Sequence, residues 1–272
     1  MQYKLLVLDL DGTLTNSKKE ITPLTLKRLI EAQEAGVKIV LASGRPTYGI
    51  TPLCDALQMD HFGGYILSFN GGKIIEVSAM ETLYEQTLPR SIIPTLYSAA
   101  NEAGATILSY LNEKIVTERP DDQYVQYESF LTKMSTLKVE KFCDAINFDP
   151  DKCLIVGEAE KLIPLNEQLN EKFGDLLSAY RSEPFFLEVV PKGIDKALSL
   201  MRLMEQTKNS AKEMIAVGDG FNDLSMIKLA GLGVAMANAQ DQVKEAANYI
   251  TTSNEEDGVA AVVEKFILNR EV

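Results

Sequence analysis

Short apolar runs alternate along this chain with segments of helical periodicity, and that pattern predicts an α/β fold. The first run, Leu5–Leu8, contains no charged residue and is typical of a buried strand. A helix is predicted to begin at Pro23, after a Thr22 cap, and to end at Gly36. The second strand is predicted at residues 37–42. These elements predict a right-handed strand–helix–strand unit with parallel strands.

The pattern changes after a third strand at 65–69 and a hairpin, predicted at 73–77 and 82–88. Pairs of strands then alternate with helices, which favours a separate α+β layer. The segments predicted in this layer are 91–103, 105–111, 114–117, 152–156, 158–173, 176–180 and 185–190. No element is predicted for the polar, tyrosine-rich stretch 121–128.

Strand–helix alternation resumes after this layer and continues to the end of the chain. The predicted segments are 194–206, 214–217, 224–230, 233–235, 240–247, 249–251 and 259–268. We therefore predict a doubly wound, Rossmann-like parallel sheet as the core, formed by residues 1–86 and 188–272. Residues 87–187 are predicted to be an inserted α+β cap domain.

Two carboxylates, Asp9 and Asp11, follow the first strand. Side chains two residues apart on an extended chain point to the same side. Both acids should therefore face one crevice at the carboxyl end of the strand, where ligands bind in open α/β sheets. A metal site, a division into nucleophile and acid–base roles, or both would account for the pair. The alternative is a polar turn, because Asp and Gly are common turn residues.

Polar residues also follow two other predicted strands. Ser43 and Arg45 come after the second strand, where a hydroxyl and backbone N–H groups could face an anion. An ordinary N-cap serine is the alternative there. Asp219 and Asp223 follow strand 214–217 and offer the hard oxygen ligands that Mg²⁺ prefers. An Asx-capped turn is the alternative for these two acids.

Two lysines, Lys192 and Lys196, lie at the start of the predicted helix 194–206. A lysine in this position could neutralise a phosphoryl oxygen and hold a negative nucleophile close to a negative substrate. Solvated surface lysines are the more usual case. The local sequence alone therefore favours the surface interpretation for either lysine taken singly.

Composition narrows the classes of function. With 272 residues, 46% of them hydrophobic, the chain can bury a full core. The formal net charge of −12 argues against nucleic acid or an anionic membrane surface as a partner. No apolar run reaches the ~18 residues of a membrane span. The chain enters its first strand directly, so we expect no signal peptide and a cytoplasmic location.

Cysteine and histidine usage restricts the chemistry further. Cys54, Cys143 and Cys153 lack metal-type spacing and are expected to remain reduced thiols. His61 is the single histidine and is predicted to lie in a loop. Histidine-based triads and multi-histidine zinc sites are therefore almost excluded. Acid–base chemistry must come from carboxylates, lysine or water.

The polar motifs occur in the order found in the haloacid dehalogenase superfamily. They cover residues 9–13, 43–45, 193–196 and 218–223. The arrangement resembles the Cof-type (type IIB) phosphatases, whose cap domain is inserted between the second and third motifs. The resemblance extends over the whole chain. It implies a Mg²⁺-dependent phosphatase that acts on a small phosphorylated metabolite, for which a sugar phosphate is expected, with substrate specificity supplied by the cap.

The resemblance also assigns residue roles. Asp9 matches the nucleophile that forms an aspartyl-phosphate, and Asp11 matches the general acid–base. Neighbouring carboxylates are expected to raise the pKa of Asp11, so that it is protonated at neutral pH. The implied Mg²⁺ ligands are Asp9, Asp11 through its backbone carbonyl, Asp219, and Asp223 directly or through water. The implied phosphate- or substrate-binding residues are Leu10, Ser43, Gly44, Arg45, Lys196 and Asn222.

Some assignments stay open at this stage. Lys192 is the alternative to Lys196. Further candidates for substrate contact are Asn70, the polar face of the cap, Arg181 and Ser182. A phosphosugar mutase of the same superfamily and a non-catalytic sensor of a phosphorylated ligand are the alternative functions. The oligomeric state is expected to be a monomer or a homodimer.

Overall fold

The computed structural model describes residues 3–270, which divide into two compact units. One unit combines the residues up to Tyr84 with those from Asp195 onward. The other is the continuous segment Glu85–Ile194. The predicted insertion, 87–187, lies inside this second unit.

Short strands and helices alternate through the described residues. The strands are β1 Leu5–Leu8, β2 Lys38–Ala42, β3 Gly64–Ser68, β4 Lys73–Glu76, β5 Glu81–Glu85, β6 Thr106–Leu111, β7 Lys114–Thr117, β8 Ser135–Lys138, β9 Cys153–Val156, β10 Leu177–Glu183, β11 Phe186–Pro191, β12 Met214–Gly218, β13 Leu232–Ala235 and β14 Tyr249–Ile250. The α-helices are α1 Pro23–Glu34, α2 Thr51–Ala56, α3 Met59–Phe62, α4 Ile93–Glu102, α5 Gln123–Thr132, α6 Phe142–Ala145, α7 Ala159–Phe173, α8 Lys196–Thr207, α9 Leu224–Leu229, α10 Asp241–Ala246 and α11 Gly258–Phe266. Single 3₁₀ turns occur at Thr47–Gly49, Phe69–Gly71, Arg90–Ile92, Ala211–Glu213 and Phe221–Asp223.

Within residues 3–270, the first unit contains an eight-stranded sheet in the order β14-β13-β12-β1-β2-β3-β4-β5. The six strands from β14 to β3 are parallel, and β4 pairs with β3 antiparallel. The chain winds to one side of β1 through β2 and β3 and to the other side through β12 and β13. The crevice beside β1 is therefore the topological switch point, where open α/β sheets bind ligands.

Strand β1 is buried on both faces. Leu6 and Leu8 pack into the apolar cluster on one side of the sheet, and Leu5 and Val7 pack into the cluster on the other side. Each fully buried Leu or Val side chain contributes about 1.5–3 kcal/mol of transfer free energy. This burial gives the residue that follows Leu8 a rigid base.

Helix α1 shows how local sequence sets an element boundary. The Thr22 hydroxyl accepts a hydrogen bond from the Thr25 amide at 3.2 Å, and Pro23 occupies the first helical position. Gly36 follows the last turn with a φ of 93°, a left-handed conformation that glycine adopts without strain. Both predicted boundaries of this helix are confirmed to within two residues.

The second unit contains, in the described part of the chain, a six-stranded sheet in the order β10-β11-β9-β6-β7-β8. Its pairs are antiparallel except β7 with β8. Helices α4 and α7 bury one face of this sheet, with Leu96 and Leu165 among the contacts. Helix α5 packs on the opposite face, where Val125 meets Leu108 and Leu154.

Several predicted elements need correction. The stretch 121–128 enters helix α5, which Asp122 caps by accepting a hydrogen bond from the Tyr124 amide at 2.9 Å. Packing of Val125 against the sheet stabilises this helix, whereas its local sequence shows no clear apolar stripe. His61 lies in the short helix α3 rather than in a loop.

Two further features bear on the sequence expectations. Cys54, Cys143 and Cys153 are free thiols. Among residues 3–270, no helix combines the length and the apolar character needed to cross a bilayer.

Candidate active site

Three of the predicted polar motifs meet where neighbouring parallel strands end. Asp9 follows β1, and its backbone N–H donates to the Val217 carbonyl of β12 at 3.0 Å. Ser43 follows β2, and its N–H donates to the Leu67 carbonyl of β3 at 2.9 Å. Asp219 follows β12. The hydrogen-bonded sheet thus brings together residues that are far apart in the sequence.

Lys196 joins two of the carboxylates. Its ammonium donates to Asp9 Oδ1 at 2.7 Å and to Asp223 Oδ1 at 2.6 Å. The Lys196 side chain is fully buried, and Asp223 is buried with it. Lys196 is the first residue of helix α8, whose N-cap, Asp195, accepts from the Leu198 amide at 3.0 Å. The capped helix start therefore fixes where the lysine enters the site.

The electrostatics of this cluster follow from burial. Desolvation raises the pKa of Asp9 well above its usual value, and repulsion from Asp223 adds to the increase, against the opposing charge of Lys196. Burial alone would lower the pKa of Lys196, but Asp223 and Asp9 outweigh it and raise the pKa. Lys196 therefore stays protonated and partly offsets the repulsion between the acids.

Asp219 is held by the turn that follows Asp9. Its Oδ1 accepts a hydrogen bond from the Thr13 hydroxyl at 2.8 Å. Gly12 has a φ of 86°, and a Cβ there would clash with the Asp219 carboxylate. Glycine is therefore required at position 12 both for the backbone conformation and for the close approach of Asp219.

The acids in this cluster suit a hard divalent cation. Asp9, Asp219 and Asp223 each offer a carboxylate oxygen, and these oxygens lie within 4.8 Å of one another. Oxygen donors of this kind are the ligands that Mg²⁺ prefers. Both oxygens of Asp223 also accept protein hydrogen bonds, one from Lys196 and the other from the amides of Asp219 and Gly220 at 3.0 and 2.9 Å.

Any divalent cation that these acids hold should bind more tightly as the pH rises, and Mg²⁺ is the ion with which to test this. Burial is the largest of the effects that raise the pKa of Asp219 from 3.8 to about 6. Protons then compete with the metal below about pH 6. We expect binding at least about tenfold tighter at pH 7 than at pH 5, because the raised pKa of Asp9 adds to the effect of Asp219. The same raised pKa affects the stability of the metal-free protein. Between about pH 4 and pH 6 Asp219 still holds a proton in the folded state but has lost it in the unfolded state, so the free energy of unfolding falls as the pH rises through this range.

Calorimetric titration with Mg²⁺ at pH 5, 6 and 7 measures the expected change in affinity. The exposed acid Asp60, changed to Asn, provides a matched control that should follow the wild-type pH dependence. An affinity that is constant across this pH range would contradict the assignment of Asp219 as a ligand.

The pKa of Asp11 differs from what the sequence led us to expect. Arg45 donates to both of its carboxylate oxygens, from Nε at 2.8 Å and from a terminal nitrogen at 2.6 Å, and Lys19 donates to Oδ1 at 2.7 Å. Burial would raise the pKa of Asp11, but hydrogen bonds and charge from Arg45, and then from Lys19, lower it. The prediction of a raised pKa is therefore wrong for this conformation, because two cations pair with the carboxylate.

The predicted phosphate-binding residues of the second and fourth motifs lie close together. The Ser43 hydroxyl accepts from the Arg45 amide at 3.1 Å. Asn70 lies between the two motifs, because its Oδ1 accepts from Asn222 Nδ2 at 3.1 Å and its Nδ2 lies 3.1 Å from where a Gly44 Cβ would be. Leu10 is buried, and its carbonyl accepts from the Thr15 amide at 2.9 Å within the turn.

The remaining candidates belong to the second unit. Lys192 is exposed and pairs with Asp175 at 3.4 Å. Arg181 and Ser182 lie on β10, where the Ser182 hydroxyl donates to Glu188 at 2.9 Å. Of the two lysines that the sequence left open, Lys196 is therefore the one that contacts the carboxylate cluster.

Sequence reasoning missed two polar residues of the first unit. Lys19 pairs with Asp11, as described above. Asn238 donates from Nδ2 to the Gly12 carbonyl at 2.8 Å and so supports the turn after β1. Asn238 follows the end of β13 closely, so a search for polar residues after every predicted strand could have found it. Lys19 lies in a surface turn and carries no comparable signal.

A doubly wound sheet with a lysine-bridged carboxylate cluster at its switch point defines a class of α/β enzyme. The family model of haloacid dehalogenase-like hydrolases matches residues 6–263, so the chain belongs to this family. The resemblance inferred from the motifs and the predicted α/β fold are both confirmed. The prediction of a hydrolase of the phosphatase type is confirmed as well.

Individual relatives match over nearly the full chain. The 5-amino-6-(5-phospho-D-ribitylamino)uracil phosphatase YcsE from Bacillus subtilis is 31% identical, covering 98% of this chain and 97% of its own. The crystal structure of a haloacid dehalogenase-like hydrolase from Bacteroides thetaiotaomicron is 54% identical, with a TM-score of 0.95, covering 97% and 99%. The subclass IIB sugar phosphatase BT4131 is 26% identical, with a TM-score of 0.80, covering 97% and 98%.

Proposed function

We propose that this protein is a Mg²⁺-dependent phosphatase that hydrolyses phosphomonoesters of small metabolites through an aspartyl-phosphate. Sugar phosphates are the proposed substrate class, in line with the name of BT4131, and YcsE is likewise named for a phosphorylated metabolite. The resemblance also assigns substrate choice to the segment 87–187, and we retain that assignment as part of the proposal. Cytoplasmic location and a monomeric or homodimeric state remain predictions.

The observation that carries the proposal is the buried bridge from Lys196 to Asp9 and Asp223. Placing an ammonium group among buried acids costs solvation free energy, and ion pairs of this kind are poor evidence for stability alone. The arrangement does suit a reaction in which negative charge gathers around Asp9. Lysine and a divalent cation together would allow the acids and a phosphate dianion to share one site.

The proposed reaction has two displacements. Asp9 attacks phosphorus, so a carboxylate oxygen–phosphorus bond forms while the bond to the leaving alcohol breaks, and Asp11 gives its proton to the departing alkoxide. Asp11 then takes a proton from water, which attacks phosphorus and breaks the bond to Asp9. Inorganic phosphate and the alcohol are the products, and both carboxyl groups return to their starting protonation states.

The other residues of the site hold the phosphoryl group during both displacements. The proposed donors to its oxygens are Lys196, the Ser43 hydroxyl, the Gly44 amide and the Asn222 amide. Bound Mg²⁺ would be held by Asp9, Asp219 and Asp223 and would neutralise charge on the phosphoryl oxygens.

The test is steady-state release of inorganic phosphate from a panel of sugar, nucleotide and cofactor phosphates, with Mg²⁺ and with excess chelator. The proposal expects release that requires the metal and needs no bisphosphate activator. Transfer of the phosphoryl group back to a sugar would favour the mutase. Binding of phosphorylated ligands without release across the whole panel would favour the sensor.

Lys19→Met should move the pH dependence of catalysis. Lys19 helps to lower the pKa of Asp11, so its removal raises that pKa and keeps Asp11 protonated to higher pH. For an alkyl phosphate, whose leaving group needs a proton, the alkaline limb of the kcat/KM profile should shift to higher pH. The measurement is a pH profile for the best alkyl substrate of the panel.

Two comparisons make this prediction specific. With p-nitrophenyl phosphate, whose leaving group needs no proton, the alkaline limb should move much less. Lys18→Met removes a neighbouring exposed lysine and should leave both profiles unchanged. Equal shifts for the two substrates would exclude Asp11 as the acid that Lys19 tunes.

A further inference from the structure

The turn between β3 and β4 has an unusual backbone. Phe69, Asn70 and Gly71 have φ values of 53°, 57° and 95°, so three consecutive residues adopt left-handed conformations. Residues other than glycine rarely do so, and such conformations persist where the surroundings hold them in place. Phe69 and Gly71 are buried. We refer to residues 69–71 as the left-handed turn.

Hydrogen bonds tie the left-handed turn to two of the site motifs. The amide of Asn70 donates to the Ser43 carbonyl at 2.8 Å, and the amide of Phe69 donates to the Arg45 carbonyl at 3.0 Å. On the other side, the Ser199 hydroxyl donates to the Gly71 carbonyl at 2.6 Å. Ser199 lies on helix α8, one turn after Lys196. The turn therefore connects the loop that carries Ser43 with the helix that carries Lys196.

The Asn70 side chain makes a third connection. Its Oδ1 accepts from Asn222 Nδ2 at 3.1 Å. Its Nδ2 lies beside Gly44, 3.1 Å from where a Cβ would be, so a side chain at position 44 would crowd the Asn70 amide. An amide nitrogen carries two N–H groups in fixed geometry, so holding one of them sets the direction of the other. Asn70 thereby sets the orientation of the Asn222 amide.

Asparagine meets two demands at position 70. It tolerates the left-handed region better than other residues that have a Cβ. It also supplies a carboxamide, which glycine lacks. Neither demand alone would select asparagine. Glycine would also adopt the left-handed backbone conformation, and many polar side chains could accept the hydrogen bond from Asn222.

We propose that Asn70 is a positioning residue for phosphate: held by the left-handed turn, it fixes the Asn222 amide relative to the Ser43–Gly44 loop. This role rests on the proposed function, because it presumes that Asn222 contacts a phosphoryl oxygen. It goes beyond that function because Asn70, which lies outside all four motifs, would orient the Asn222 amide of the fourth motif. Ser199 extends the same connection to Lys196.

The test uses Asn70→Gly, which keeps the left-handed backbone and removes only the carboxamide. In the presence of Mg²⁺, we expect Kd for inorganic phosphate, measured by calorimetry, to rise about five- to tenfold. This is less than the loss of a whole hydrogen bond to a charged ligand, because Asn222 is misoriented rather than removed. The KM for p-nitrophenyl phosphate should rise with it. The melting temperature should not fall, since glycine relieves the strained conformation.

Two further variants separate positioning from a structural effect. Met80→Gly removes an exposed side chain from another left-handed position, with a φ of 51°, and should leave phosphate binding unchanged. Asn222→Ala should weaken phosphate binding by itself. Adding Asn70→Gly to Asn222→Ala should cause little further loss, because Asn70 acts through Asn222.

The outcomes distinguish this inference from the proposed function. Phosphate binding by Asn70→Gly within twofold of wild type, or losses that add in the double variant, would overturn the positioning role alone. Absence of hydrolysis together with the expected binding pattern would overturn the proposed function and support the positioning role. Wild-type protein that releases phosphate from substrate but binds no inorganic phosphate would overturn the positioning role and leave the proposed function supported.

Discussion

Asp9→Asn is expected to abolish phosphate release, with kcat lowered by at least about 10³-fold. The amide is close in shape to the carboxylate but is a far weaker nucleophile toward phosphorus. The protein should remain folded, because Lys196 retains its ion pair with Asp223 and the repulsion between Asp9 and Asp223 disappears. The measurements are kcat on the best substrate of the panel and the melting temperature.

Asp60→Asn is the matched control, since it makes the same chemical change at an exposed acid on α3. It should retain full activity. Wild-type protein incubated with substrate and quenched in acid should also carry phosphate on Asp9, and Asp9→Asn should not. Activity of Asp9→Asn within tenfold of wild type, or phosphate found on another residue, would remove Asp9 from the nucleophile role.

Lys196→Met is expected to impair both stability and catalysis. Removing the buried ammonium leaves Asp9 and Asp223 as buried charges without their shared cation, and breaking a buried pair in this way costs about 3–5 kcal/mol. Methionine is similar in length to lysine, so the fall in the free energy of unfolding should come mainly from the lost charge rather than from a cavity. Urea denaturation without Mg²⁺ measures the free energy of unfolding, and phosphate release with Mg²⁺ measures activity.

Lys192→Met tests the lysine that the sequence could not exclude. Its side chain is 53% exposed, and its partner Asp175 is fully exposed, so the free energy of unfolding should change little. In the Lys196→Met variant, Mg²⁺ can restore part of the lost stability only if the metal binds to the acids without the lysine. Equal losses of activity in the two variants would contradict the assignment of Lys196 as the phosphate-binding lysine.

The ion pairs of Asp11 conflict with the protonation state that the proposed mechanism needs. In the described conformation it is an ionised carboxylate held by Arg45 and Lys19, whereas the proposed first displacement needs it to carry a proton. The proposed mechanism therefore requires that one or both cations release Asp11 when substrate binds. The Lys19→Met profile measures how strongly one of these contacts opposes protonation.

The sequence predicted the positions of the strand ends well, because the signals involved are local. Leu5–Leu8 is apolar throughout, and a polar residue directly after such a run must lie at the edge of the sheet. Thr22 and Pro23 similarly mark the start of α1 through contacts within one turn. The motif order then sufficed to recognise the family.

Side-chain partners were predicted less well. Arg45 meets Asp11 across 34 positions, and Lys196 meets Asp9 across 187. Hydrophobic periodicity carries no information on which cation approaches which acid, so the pKa of Asp11 was predicted with the wrong sign. Helix α5 was missed for a related reason, since Val125 is buried by strands distant in sequence.

By itself, the sequence determined which residues follow each buried strand, and with them the acids, the second-motif serine and the family. Only the tertiary structure decided that Lys196 rather than Lys192 contacts the acids, that Asp11 is paired with two cations, and that Asn70 joins Asn222 to the Ser43 loop. Burial is encoded by the pattern along the chain. Ion pairs and hydrogen bonds depend on distances of a few ångströms, which are set when the strands assemble into the sheet.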